Sequence, residues 1–359
     1  MKKNKSYYVA IMAGGVGSRF WPSSRENTPK QFLDILGVGK SLIRLTYERF
    51  NSIVEPENIL VVTNKIYKGL VKEHIPEIPE ENIITEPSRN NTGPCVAYTA
   101  LRLEAMDPNA TFVIAPSDHV ILKEQEFLNR ISSALDDASK KDVIITLGIE
   151  PTRPDTGYGY IETDLQDKSN AVIKVQQFRE KPDLNTAEEY IKQGGFYWNA
   201  GIFVWSVKTI LKSFQNNAPE IYNILTQDKS KYNTDSEQDY IDEVYPTTPS
   251  ISVDYAILEN ADNVYTIPAD IGWSDLGTWN ALHAYKVKDE SGSVVIGENT
   301  MLLDSKDCIV KSDAKKLVVI KDLEGYIVID ETDVLLVYPK EKEQSIKQLR
   351  ASIEDASYK

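Results

Sequence analysis

Cysteine and histidine are scarce in this chain, with two of the first and three of the second in 359 residues. Cys95 and Cys308 stand far apart without metal-ligand spacing, which excludes a disulfide scaffold and fits a reducing compartment, the cytoplasm by default. The histidines form no nucleophile-activating triad pattern. His74 and His283 fall in helical patterns as ordinary side chains, and His119 is expected to hydrogen-bond. A basic excess is also missing: 40 Lys and Arg against 54 Asp and Glu leave a formal charge of -14 and a pI near 4.9. That balance argues against nucleic-acid and anionic-membrane partners, since either needs a broad cationic face. No stretch approaches the roughly 20 apolar residues of a membrane helix. MKKNK before YYVAIMAGG imitates a signal peptide, but the apolar run is short and enters a polar loop, so it reads as a first strand.

What the chain does have is apolar material in strand-length pieces, at 41% hydrophobic residues overall. YVAIMA, NILVVT, NIIT, TFVIAP and DVIITLGI alternate with helix-period segments such as SLIRLTYERFNSI, CVAYTALRLEAM and EFLNRISSALDDA. Alternation of this kind predicts βαβ units and an α/β, doubly wound, mainly parallel mixed sheet. From about 151 to 290 the pattern turns mixed, as expected of a segment completing a substrate site. After a helix at Trp279 to Tyr285 come short β-branched runs (SVVI, TMLLD, CIVKS, LVVIKD, YIVID, VLLVYP), a small β unit, and then a charged helix from about Glu341. We therefore expect a catalytic domain over 1–290, with halves of about 1–150 and 151–290, and a β domain over 291–359. The five tryptophans are read as core or pocket-wall residues.

The densest signal is VAIMAGGVGSRFWPSSRENTPKQFL, residues 9–33. Gly14, Gly15 and Gly17 leave backbone N–H groups uncovered and permit positive φ, which suits an anion, with a phosphate the first choice. Arg19, Arg25 and Lys30 against Glu26 make the loop cationic on an acidic protein. The spacing fits neither the dinucleotide fingerprint G-x-G-x-x-G nor a Walker A loop.

G-G-x-G-S-R-F-x-P followed by P-K-Q-F-L resembles the signature of nucleotidyltransferases that make nucleoside-diphosphate sugars, and within them the mannose-1-phosphate guanylyltransferases. EPSRNNTGP, APSDH, TGYGYIE, FREKP, WNAGIFVW, SVDYAILE and GWSDLGTW follow in the family's order, over about residues 8 to 285. Ser18 stands where Thr is usual, and Phe20 where Leu is usual. The resemblance implies a Rossmann-like nucleotidyltransferase domain and a C-terminal unit like the family's short left-handed β-helix, which often supports homodimers.

The implied reaction joins GTP and mannose 1-phosphate to give GDP-mannose and pyrophosphate. A phosphate monoester has a second pKa of roughly 6 and is its own nucleophile near pH 7. What the reaction demands is cations where several phosphates converge. By resemblance, Gly14, Gly15 and Gly17 with Ser18 and Arg19 cradle the β- and γ-phosphates, Lys30 sits near the α-phosphate, Arg25 assists the triphosphate, and Ser117 completes the nucleotide side. Lys181 holds the sugar phosphate. Gly157, Glu162, Glu180, Asn199, Ser252 and Asp254 match sugar-side motifs. Mg²⁺ prefers one or two carboxylates plus phosphate oxygens, a demand that Asp118 and Asp275 fit. Asn90, Asn91 and Thr92 either read guanine or merely shape a turn. Two alternatives stay open: the same reaction on another hexose 1-phosphate or with UTP or dTTP, and a catalytically silent nucleotide-sugar sensor.

Overall fold

The structure, a computed structural model, describes residues 4–164, 171–312 and 315–359. Its contacts divide the chain into two compact units. The first comprises Met1–Gly14, Thr46–Ser117 and Ile121–Trp273; the second comprises Gly15–Leu45, Asp118–Val120 and Ser274–Lys359.

In the first unit, β1 (Tyr7–Met12), β2 (Ile59–Asn64), β3 (Ile83–Glu86) and β4 (Thr111–Pro116) pair in the order β3-β2-β1-β4, all parallel. Their unbroken apolar runs are what a strand buried on both faces requires. The short strand β5 (Val120–Ile121) and helix α4 (Glu124–Ala138) precede β6 (Ile144–Ile149). β7 (Tyr160–Thr163), β8 (Ile173–Arg179), β9 (Phe196–Ser206) and β10 (Val264–Pro268) complete a nine-stranded sheet in the order β3-β2-β1-β4-β9-β6-β10-β8-β7. The parallel sense stops at β9, which runs against β4, β6 and β7. Helix α3 (Thr92–Met106) is buried along most of its length and shares one apolar core with β1, β2, β4 and helix α6 (Val207–Asn217). Glu86 ends β3 and Pro116 ends β4, so EPSRNNTGP and APSDH both leave the carboxyl edge of the parallel strands, where ligands of open α/β sheets bind.

In the second unit, β12 (Val294–Ile296), β14 (Ile309–Lys311) and β16 (Tyr326–Asp330) are parallel neighbours, and β17 (Leu335–Pro339) returns antiparallel to β16. β13 (Thr300–Leu303) pairs in parallel with β15 (Val318–Lys321). Short parallel strands stacking on the next coil of the same chain make a small β-helix. The expected charged helix begins as a 3₁₀ segment, Lys340–Ser345, before a helix at Ile346–Ser352. This unit also takes in residues 15–45: Phe20, Trp21, Ile35 and Leu42 share a core with Trp279, Ile309, Ile327 and Leu336. Much of the cationic glycine-loop segment is therefore packed with the small β unit.

Candidate functional site

One cluster of candidate residues, the cationic one, lies in the second unit. Gly17 has φ +68°, and a Cβ there would stand 2.4 Å from Lys30 Cβ, so only glycine fits where the loop crosses that lysine. The turn carries Ser18 and an exposed Arg19 in one 3₁₀ turn, Ser18–Phe20. A second 3₁₀ turn, Lys30–Phe32, buries Lys30 to 2% exposure. A buried ammonium needs acceptors. Lys30 Nζ donates to Asp118 Oδ2 at 2.9 Å and to the Asp275 carbonyl at 2.8 Å, and it lies 5.4 Å from the Phe20 ring centroid. Burial works to raise the Asp118 carboxyl, but the Lys30 charge and then His119 outweigh it and hold the group below the usual carboxylate range. The Gly277 N–H donates to Asp275 Oδ1 at 3.0 Å. Lys30, Asp118 and Asp275 are thus brought together. Asp275 enters this cluster through its backbone carbonyl, while its carboxylate accepts from Gly277; a carboxylate from each aspartate, Asp118 partly exposed, is the chemistry a hard cation takes alongside phosphate and water oxygens. Among the described residues no group of three or more His, Cys, Asp or Glu forms a full protein cage. Arg25 is engaged differently, in a two-pronged pair with Asp333.

In the first unit, the amides of EPSRNNTGP are already spent within the protein. Asn90 Nδ2 donates to the Tyr245 carbonyl and to Thr248 O and Oγ1 at 2.9–3.1 Å, while Asn90 Oδ1 accepts from Ser88. Asn91, at φ 66°, caps α3 by accepting from Thr92 N, and Thr92 Oγ1 accepts from Val253 N. Of the two readings left open, these contacts favour shaping the turn. The Ser117 N–H donates to the Met12 carbonyl, and Ser117 O accepts from Thr46. Glu86, not singled out from the sequence, is a buried carboxylate at the end of β3, and its Oε2 would lie 3.6 Å from a Cβ on Gly14. Burial pushes it up to about 7, although Tyr245 and Cys95 donate to it. The missed signal was its position at the strand end, hidden by the amides that follow.

Four of the proposed sugar-side groups converge. Asn199 Nδ2 donates to Asp254 Oδ1 at 2.8 Å, the Asn199 N–H donates to the Gly159 carbonyl at 2.8 Å, and Lys181, at φ 43°, pairs with Glu180. Burial, with Glu180 second, pushes Asp254 up to about 6 against the Asn199 hydrogen bond and the Lys181 charge. A Cβ on Gly159 would meet Glu180 Oε2 at 2.6 Å, so that glycine makes room for the carboxylate. Glu162 is paired with Arg179 at 3.2 Å, the Gly157 N–H donates to Asp155, and Ser252 Oγ accepts from Tyr255 N at 3.4 Å. Arg153, also missed, lies 5.1 Å from the Trp198 ring and 5.8 Å from Tyr158, held by Asp155 at 2.7 Å. Tyr158 packs edge-on against Trp198 and Trp273, and Trp198 is buried.

The first unit is a nine-stranded mixed α/β sheet, and the second carries a short β-helix together with a buried lysine bonded to Asp118 and to the Asp275 backbone beneath a glycine turn, features of an enzyme that moves nucleotidyl groups. The chain belongs to the nucleotidyl transferase family: that family's model matches residues 8–292, and a MannoseP isomerase/GMP-like beta-helix domain matches residues 298–351. A mannose-1-phosphate guanylyltransferase of Klebsiella pneumoniae is 34% identical over 346 residues, covering 94% of this chain and 72% of that protein. Alginate biosynthesis protein AlgA of Pseudomonas fluorescens is 34% identical over 352 residues, with 96% and 71% covered. The crystal structure of a mannose-1-phosphate geranyltransferase from Thermus thermophilus superposes with a TM-score of 0.87 at 29% identity, covering 98% of this chain and all of that one. No described helix is long and apolar enough to cross a membrane.

Proposed function

We propose that this chain transfers a guanylyl group from GTP to α-D-mannose 1-phosphate, giving GDP-mannose and pyrophosphate. The observation that carries the reading is Lys30, a buried cation fixed beside Asp118 and Asp275 under a glycine loop, in a chain a third identical to proteins named for that reaction. A mannose 1-phosphate oxygen attacks the α-phosphorus of GTP in line, the bond to the bridging oxygen breaks, and pyrophosphate leaves. The attacking phosphate carries its own charge, so no histidine base is required. Lys30 faces the α-phosphate, where negative charge is redistributed most, and Arg19 with the N–H groups of Gly14, Gly15 and Gly17 takes the β- and γ-phosphates. Lys181 holds the sugar phosphate, with Glu180, Asn199 and Asp254 on sugar hydroxyls. Asp118 and Asp275 would hold Mg²⁺, which supplies neutralisation of phosphate charge when bound. Glu86 takes the N1–H and N2–H₂ donors of guanine, because a carboxylate matches two adjacent donors and the neighbouring amides are committed elsewhere.

In this reading the enzyme works in the cytoplasm, and the β unit supports a homodimer through outward Met301, Leu317 and Val319, all exposed. Purified protein should release pyrophosphate from GTP with mannose 1-phosphate, and chelation should stop it. A screen of four nucleotides against several sugar 1-phosphates tests the reading, which fails if UTP or dTTP matches GTP. Binding of GDP-mannose without any turnover would instead support a sensor.

A further inference from the structure

The segment between Arg19 and Lys30 is anchored from the β unit. Arg25 Nη1 donates to Asp333 Oδ2 at 2.7 Å, Nη2 donates to Oδ1 at 2.5 Å, and Nε donates to the Pro22 carbonyl at 3.1 Å. Ser23 Oγ donates to Glu331 Oε1, which also accepts from Lys311 Nζ at 2.5 Å. Trp21 Nε1 donates to the Tyr358 carbonyl at 2.7 Å, and the Glu26 N–H to the Lys359 carbonyl at 3.3 Å. Glu331 and Asp333 both stand on the turn between β16 and β17, which is closed by the Glu331 N–H donating to Val334 O. Arg25 is therefore the centre of a bidentate pair, and its 15% exposure and occupied prongs leave it little to offer a triphosphate.

We infer that Asp333 and Glu331 are positioning residues for the nucleotide: through Arg25 and Ser23 they fix the segment whose two ends are Arg19 and Lys30. Between those ends lie two serines, an asparagine and no glycine, held in turns and bends with no strand or long helix to order them, and ordering the segment only on binding would cost affinity. Immobilising side chains on binding costs affinity, so a segment already ordered binds tighter without a new contact. Arg25 then acts on GTP through Asp333, not by touching it. The inference rests on the reading that this loop takes the nucleotide.

The test compares the full-length wild type with Asp333→Asn, Arg25→Asp and the swapped double variant Arg25→Asp/Asp333→Arg, by pyrophosphate release with GTP and mannose 1-phosphate. Asp333→Asn should raise KM for GTP about five- to tenfold while kcat and KM for mannose 1-phosphate stay within about twofold, as loss of preorganisation at one substrate predicts. Arg25→Asp should be at least as poor, and the swapped pair should return KM for GTP to within about threefold of wild type. An unchanged KM for GTP in Asp333→Asn overturns the inference. So does a swapped pair as poor as Arg25→Asp, which would put Arg25 on the nucleotide itself. If the swapped protein melts far below wild type, Asp333→Asn decides alone. If the wild type releases no pyrophosphate from GTP, the proposed reaction fails, and GTP affinity of the same variants by calorimetry still decides the positioning role.

Discussion

Lys30 Nζ lies 2.9 Å from Asp118 Oδ2 and 2.8 Å from the carbonyl oxygen of Asp275, so one ammonium ties together segments that the sequence separates by 88 and 245 residues. Asp118 reaches this point two residues beyond the run TFVIAP, and Asp275 through the turn in which the Gly277 N–H donates to its carboxylate. In the proposed reaction a cation held this way would need no reorganisation when charge shifts at the α-phosphate, the condition under which electrostatic stabilisation is most effective.

Replacing it tests that role. Lys30→Met keeps the length of the side chain and removes its charge, and should lower kcat by about 10²-fold or more with a smaller effect on KM for GTP. Lys181→Ala should instead raise KM for mannose 1-phosphate far more than KM for GTP. Steady-state kinetics of both variants with both substrates checks the division, and equal effects on both KM values would contradict it.

Gly17 should tolerate no side chain. A methyl group there is built at φ +68° and meets Lys30 Cβ, an atom next to the backbone that cannot swing aside. Gly17→Ala should therefore cost about 1–3 kcal/mol of stability and displace Lys30. Gly15→Ala, with nothing within 4 Å of the added carbon, is the control. Thermal unfolding and kcat/KM of the pair separate strain from general loop damage.

Much of this was legible in the chain. Alternation of apolar strands and helix-period segments foretold the parallel strands β3-β2-β1-β4. Residue type and motif order named Lys30, Asp118, Asp275, Glu180, Asn199 and Asp254, which the fold groups as two clusters, each within its own unit. Hidden from the sequence was the sense of β9, because an apolar strand carries no sign of its direction, and the packing of residues 15–45 with the β-helix, which rests on pairs such as Arg25–Asp333 that are 308 positions apart. For Asn90 and Asn91 the sequence left base reading and turn shaping equally open, because an amide's composition does not disclose its partners; here Tyr245, Thr248 and the Thr92 N–H take them.

Asp254 carries a pH signature. Its carboxyl is pushed up to about 6 in the folded chain by burial and by Glu180, against about 3.9 for an unperturbed aspartate. The folded state thus binds this proton more tightly than the unfolded state, so the group's contribution to stability is greatest below about pH 4 and declines as pH rises to about 6. Asp254→Asn removes the ionisation. It should raise the melting temperature relative to wild type at pH 8 more than at pH 4.5, while raising KM for mannose 1-phosphate. A melting difference that does not vary with pH would refute the assignment.

The choice of base gives the last prediction, and it turns on Glu86. A carboxylate accepting from N1–H and N2–H₂ distinguishes guanine from hypoxanthine, which lacks the 2-amino group, so wild type should use GTP better than ITP. Glu86→Gln keeps the shape but offers one acceptor and one donor, and should bring GTP down to about the level of ITP, a loss of about 1.5–3 kcal/mol in binding as expected for a hydrogen bond to a charged group. The carboxyl is held up to about 7 by burial. As pH rises through that value Glu86 ionises and gains acceptor strength, so KM for GTP should fall between about pH 6 and 8 in wild type. Phosphate ionisation contributes to the same profile, and Glu86→Gln subtracts it, because the variant retains every phosphate and loses only the titrating carboxyl. The decisive quantity is the GTP-to-ITP ratio of kcat/KM in each protein across that pH range. A ratio that stays high in Glu86→Gln, with an unaltered pH profile, would move base recognition to the loop's backbone and leave Glu86 as a buried partner of Tyr245 and Cys95.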